Sequence, residues 1–85
     1  MTRILVVDDE RTIRHILAVL LREHGYEVAE AESGEGALAV QPSFQPALVL
    51  LDLSLPGIDG LETLRRLRAR HQLPDQRSQF LVCRR

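Results

Sequence analysis

The chain contains no lysine and no tryptophan, a single cysteine, and only three aromatic residues, Tyr26, Phe44 and Phe80. Each shortage excludes something. One thiol, Cys83, can form neither an intramolecular disulfide nor a cysteine-based metal cluster. With so few rings the interior has to be aliphatic, built from Leu, Val, Ile and Ala. All 11 basic residues are arginine, so chemistry that needs a side-chain ammonium is closed to this chain. No apolar run approaches the length of a membrane span. The stretch Ile4–Val7 after Arg3 is ended by Asp8-Asp9-Glu10 too early for a signal-peptide core. A cytoplasmic location with no membrane partner is the expectation.

What is present fits one small domain. The 85 residues are 45% hydrophobic and 27% charged, an ordinary globular composition. A chain this short buries only about 60% of the surface its unfolded form exposes, so its stability margin is thin. The net charge of −1 points to neither nucleic acid nor an anionic membrane, but its distribution is uneven. Residues 1–62 hold 11 acids and 4 bases; residues 63–85 hold 1 acid and 7 bases. The run Arg65, Arg66, Arg68, Arg70 could touch phosphate. Without a recognition motif or interleaved aromatics it reads as a solvated helix face, and no nucleic acid is expected as a partner.

Ile4–Val7 is a short apolar run rich in β-branched residues, the pattern of a parallel strand buried on both faces. Ile13, Ile16, Leu17, Leu20 and Leu21 follow at the spacing of one helical stripe, with Arg22 and His24 in the last turn and Gly25 as a stop. Tyr26–Ala31 alternates with Glu27 and Glu30, which suits an edge strand. Ser33-Gly34 opens a short helix through about Val40, which Pro42 is expected to end. Ala47–Leu53 is a second continuous apolar run, interrupted only by Asp52 near its carboxyl end. After the turn residues Leu55–Gly60, Asp59 and Glu62 resemble a capping box, and Leu61, Leu64 and Leu67 give another stripe. The tail after His71 contains Pro74 and then Phe80–Cys83, a possible fourth strand. Alternation of strand and helix in this order predicts an α/β fold with a parallel sheet.

In such sheets functional groups collect beyond the carboxyl ends of the strands, at the point where strand order reverses. Asp8 and Asp9 end the first strand and Asp52 ends the third. If these strands are neighbours, three carboxylates share one pocket, and like charges so placed call for a cation. A hard divalent ion, magnesium above all, suits oxygen donors. Asp8 and Asp9 could instead simply cap the first helix. Asp52 is harder to assign a structural role, because an acid inside an apolar strand carries a desolvation penalty. The histidines His15, His24 and His71 show no metal or catalytic spacing and read as surface positions.

These residues resemble a known family, the receiver domains of two-component response regulators. The resemblance rests on Ile4-Leu-Val-Val-Asp-Asp-Glu10, Gly25-Tyr-Glu-Val28, Ala31-Glu-Ser-Gly-Glu-Gly-Ala-Leu38 and, most specifically, Leu50-Leu-Asp-Leu-Ser-Leu-Pro-Gly-Ile-Asp-Gly-Leu61. It covers about residues 2–70, with 71–85 a divergent tail, so residues 1–85 read as one partial receiver. The implied fold is a flavodoxin-like doubly wound parallel sheet, incomplete, with three strands, a possible fourth and three helices. The resemblance implies that Asp52 is the phosphoacceptor, phosphorylated by a histidine kinase or phosphotransfer protein with Mg2+. It makes Asp9 a metal ligand, Asp8 a second acidic member acting directly or through water, and the backbone carbonyl of Ser54 a further ligand alongside Asp52. Pro56 and Gly57 would shape the loop beside the site, and Gly60 would let helix and loop pack closely.

The chain also departs from the family pattern. A complete receiver has a fourth strand ending in Ser or Thr and a fifth ending in Lys. Here Cys83 is nearest the hydroxyl position, where a thiol is a weak donor, and no lysine exists. The ending Cys83-Arg84-Arg85 leads to the expectation of a C-terminally truncated receiver, from a shortened or frameshifted gene or a fragment. Impaired switching is expected, as is a homo-oligomer formed through the exposed sheet edge. The competing reading is a non-switching interaction module that binds a kinase or another receiver. An enzyme with an aspartyl nucleophile of the haloacid dehalogenase type would want Asp where Ser54 stands, so a signalling domain rather than an enzyme is expected.

Overall fold

The computed structural model describes residues 2–55, 60–69 and 79–83, the last of these as backbone only. Its elements run β1 (Arg3–Val7), α1 (Arg11–Glu23), β2 (Glu27–Ala31), α2 (Gly34–Phe44), β3 (Leu48–Asp52), α3 (Gly60–Ala69) and β4 (Gln79–Cys83). The four strands form one parallel sheet in the order β2-β1-β3-β4. The fourth strand therefore forms, and β2 is an edge, as its glutamates foretell.

Alternation along β1 divides the core in two. Leu5 and Val7 join Val49, Leu51, Ala37 and Leu67 beneath α2 and α3, whereas Ile4 and Val6 join Val28 and Ala18 beneath α1. Successive strand side chains point to opposite faces, so a run buried on both sides has to be apolar throughout. Burying a leucine completely, as at Leu5, Leu51 and Leu67, contributes about 1.5–3 kcal/mol each. The site lies at the carboxyl edge of this sheet, where β1 and β3 emerge side by side.

α1 begins with Glu10, not with Asp8 or Asp9, as its N-cap: the Glu10 side chain accepts a hydrogen bond from the Thr12 N–H at 3.4 Å. It ends at Glu23 with His24 as its C-cap, and the chain turns away at Gly25, whose φ of +88° is a conformation that favours glycine. The helix turns a different face to the sheet than its large apolar residues predict. Leu17, Ala18 and Leu21 pack inward, while Ile13, Ile16 and Leu20 of the expected stripe are exposed. In α3 likewise Gly60, Thr63 and Leu67 are buried, Leu64 is half-buried and Leu61 is exposed.

Pro42 does not end α2, which continues to Phe44. A proline removes one backbone hydrogen bond and crowds the carbonyl four residues back. The helix is nevertheless held on both sides of it. The Gln45 N–H donates to the Gln41 carbonyl at 2.9 Å, and the Gln41 side chain donates to the Leu67 carbonyl of α3 at 3.1 Å. Gln45 then closes the helix in the left-handed region, with φ at +51°. The expected Asp59–Glu62 cap falls partly outside the described residues; Glu62 itself pairs with Arg66 at 2.9 Å and Arg65 at 3.7 Å. Those arginines lie on an exposed face.

Candidate metal centre

The register of the two central strands builds the pocket. Val7 pairs with Leu51, so the next residues along the two strands, Asp8 and Asp52, leave the sheet beside each other. Asp8 and Asp52 are buried, at 4% and 1% exposure, and Asp9 is exposed. One carboxylate oxygen from each of Asp8, Asp9 and Asp52 falls in a cluster whose members all lie within 4.8 Å of one another. Among the described residues this is the group of acids placed to hold a metal ion.

Local hydrogen bonds fix Asp8 and Asp52. Asp8 donates its N–H to the Ala31 carbonyl at 3.1 Å, and its Oδ1 accepts the Glu10 N–H at 2.8 Å. Asp52 Oδ1 accepts the N–H of Ser54 at 2.9 Å, in the turn that follows β3. Ser54 therefore stands beside the acid it follows. Pro56, Gly57 and Asp59 lie outside the described residues. Gly60 fills the packing role expected of it: a Cβ there would stand 2.8 Å from the Leu53 carbonyl carbon and oxygen, and nearer still to its Cα. Only a residue without a side chain lets α3 start that close to the chain leaving Asp52.

Two buried carboxylates and a third beside them repel strongly when ionised, because burial removes the water that would screen them. A divalent cation with a preference for oxygen relieves that repulsion, and the donor set is all oxygen. The residues present thus fit magnesium. Cys83 is the strand-pairing partner of Asp52 on the other side, in β4. His15 and His24 are exposed and neither belongs to the acidic group, and His71 lies outside the described residues.

One contributor carries no mark in the sequence motifs. Arg14 donates through Nη1 to the Asp8 carbonyl at 2.8 Å and through Nε to Glu30 at 3.2 Å. Its position on α1, on the side that also carries Leu17, Ala18 and Leu21, is the signal that could have marked it.

The family model of the response regulator receiver domain matches residues 4–77. This chain belongs to that family. The receiver is 44% identical over 73 residues to the transcriptional regulatory protein ResD of Bacillus subtilis (strain 168), a match that covers 86% of this chain and 30% of ResD. Among solved structures it resembles the response regulator TrrA of Thermotoga maritima, in complex with Mg2+-BeF, at 39% identity and a TM-score of 0.78. That match covers 98% of this chain and 87% of TrrA. The Vibrio cholerae chemotaxis protein CheY4 superposes with a TM-score of 0.86 at 28% identity, over 96% of this chain and 67% of CheY4. The receiver thus spans about a third of the curated regulators it matches. The flavodoxin-like fold expected from the sequence is the fold of these neighbours. No helix among the described residues is long and apolar enough to cross a membrane.

Proposed function

We propose that Asp52 is the phosphoacceptor of this receiver, and that Asp8, Asp9, Asp52 and the Ser54 backbone carbonyl hold the Mg2+ that accompanies the transfer. The observation that carries this reading is the convergence of the three carboxylates at the carboxyl ends of β1 and β3. Support comes from the TrrA relative, whose structure contains Mg2+-BeF. When bound, the ion supplies positive charge against the carboxylates and the phosphoryl oxygens.

The chain's own residues do the rest. An Asp52 oxygen attacks phosphorus as the P–N bond of a phosphohistidine, on a histidine kinase or phosphotransfer protein, breaks and its electron pair stays on the imidazole. The Ser54 N–H holds the Asp52 carboxylate in a fixed rotation while it acts. Leu55 is buried next to this turn and Asp52 is itself almost wholly enclosed, so the carboxylate is held on a packed base. The domain works as a signalling acceptor in the cytoplasm rather than as an enzyme with turnover. Residues 1–85, read as one partial receiver, supply the nucleophile and metal ligands. Labelling of the purified chain by acetyl phosphate should require Mg2+ and vanish in Asp52→Asn. Labelling that persists in this variant would sink the assignment.

A second reading is favoured by one observation, the absence of lysine from the whole chain. No side-chain ammonium can pair with a phosphoryl group on Asp52, so within these residues phosphorylation is not read out by the lysine-dependent switch. The chain then acts as an interaction module for a kinase or another receiver. Among the described residues β4 is paired on one side only, which leaves a strand edge for a second copy. Sedimentation is expected to show self-association that rises with concentration; a monomer at all concentrations would count against it.

A further inference from the structure

The side chain of Arg14 is 13% exposed and spans two strands with one planar fork. Nη1 donates to the Asp8 carbonyl at 2.8 Å and Nε to Glu30 Oε1 on β2 at 3.2 Å. The Asp8 N–H donates to the Ala31 carbonyl, next along β2, at 3.1 Å. Both backbone polar groups of Asp8 are thereby anchored to the same edge strand, the N–H directly and the carbonyl through Arg14. Glu30 is held in turn by His15 at 3.9 Å and Arg22 at 3.8 Å, so the carboxylate that aims Arg14 sits among three basic side chains.

The anchored carbonyl belongs to the peptide that joins Asp8 to Asp9. A peptide unit is planar, so fixing its oxygen fixes the direction in which the chain continues to Asp9. The strand ladder no longer sets that direction, because β1 ends at Val7. Asp9 itself is exposed. We infer that Arg14, held by Glu30, is a positioning residue that fixes the Asp8–Asp9 peptide and thereby sets the affinity of the acidic trio for its cation. This rests on the metal reading given above.

Charge alone predicts the opposite sign. A guanidinium near three carboxylates repels a metal ion, so removing it should tighten binding if its field were what matters. Positioning predicts weaker binding, as when groups that orient metal ligands are removed. The test is a Mg2+ titration of the full chain, Arg14→Gln, Arg14→Lys and Glu30→Gln. It is followed through the backbone amide NMR signals of Asp8 and Asp9, with thermal melts to verify folding. Arg14→Gln is expected to raise the Kd about tenfold. Arg14→Lys keeps the charge but not the fork, and should weaken binding too. Glu30→Gln should weaken it less. Unchanged or tighter binding in Arg14→Gln overturns the inference; should that variant not fold, unchanged binding in Arg14→Lys does so. An unmodified chain with no saturable response to Mg2+ overturns the metal reading itself.

Discussion

The two faces of the sheet are finished to different degrees. Beneath α2 and α3, Leu5, Val49, Leu51 and Leu67 have no exposed surface, and Leu38, Phe44 and Leu64 pack around them. On the α1 side the helix contributes one fully buried residue, Ala18, and Leu48 and Leu50 of β3 are only partly covered. Ile16 and Leu20 of α1 stand 52% and 48% exposed. The sealed face carries Leu55 and the Gly60 contact that shape the turn after Asp52. The open face carries Arg14 and its hold on Asp8. Asp52 is thus backed by close packing, whereas the Asp8–Asp9 loop depends on polar bonds. Hydrogen bonds of that kind contribute about 0.5–1.5 kcal/mol each, less than a buried leucine.

That contrast can be broken by mutation. Leu67→Ala removes a wholly buried side chain from the sealed face and should destabilise the chain by about 2–5 kcal/mol. A small domain has only about 0.05–0.15 kcal/mol per residue in hand, so the variant should unfold at a much lower urea midpoint than the unmodified chain. Ile16→Ser, on the open face, should cost less than about 0.5 kcal/mol of stability and so move the urea midpoint little. If Ile16→Ser costs as much as Leu67→Ala, the outer side of α1 is covered in solution and the two faces are equivalent after all.

Much of this was legible in the sequence. The runs Ile4–Val7 and Leu48–Leu51 are apolar on both sides because both of their faces are covered, whereas a strand with one wet face would alternate. The carboxylates at their ends are conspicuous for the same reason. What periodicity could not fix was orientation. Apolar residues cover most of the circumference of α1, so the spacing announces a helix without saying which side meets the sheet. The small Ala18 and the stem of Arg14 face inward where Ile13 and Ile16 were expected. Pro42 misled for a related reason: its effect is local, whereas the helix around it is held by α3 through Gln41. The bridge from Arg14 to Glu30 depends on the pairing of β1 with β2, so it emerges only from the assembled sheet.

The pairing of β1 with β3 has a consequence for folding. Asp8 and Asp52 are separated by α1, β2 and α2, and they meet only after the central ladder has closed around that long loop. No partly folded form without this ladder possesses the pocket. A cation held by the trio therefore selects the closed sheet over every open form, stabilising it by about 1.4 kcal/mol at ten times its dissociation constant. For a chain with a thin margin, the ambient concentration of the ion would help to set how much of it is folded.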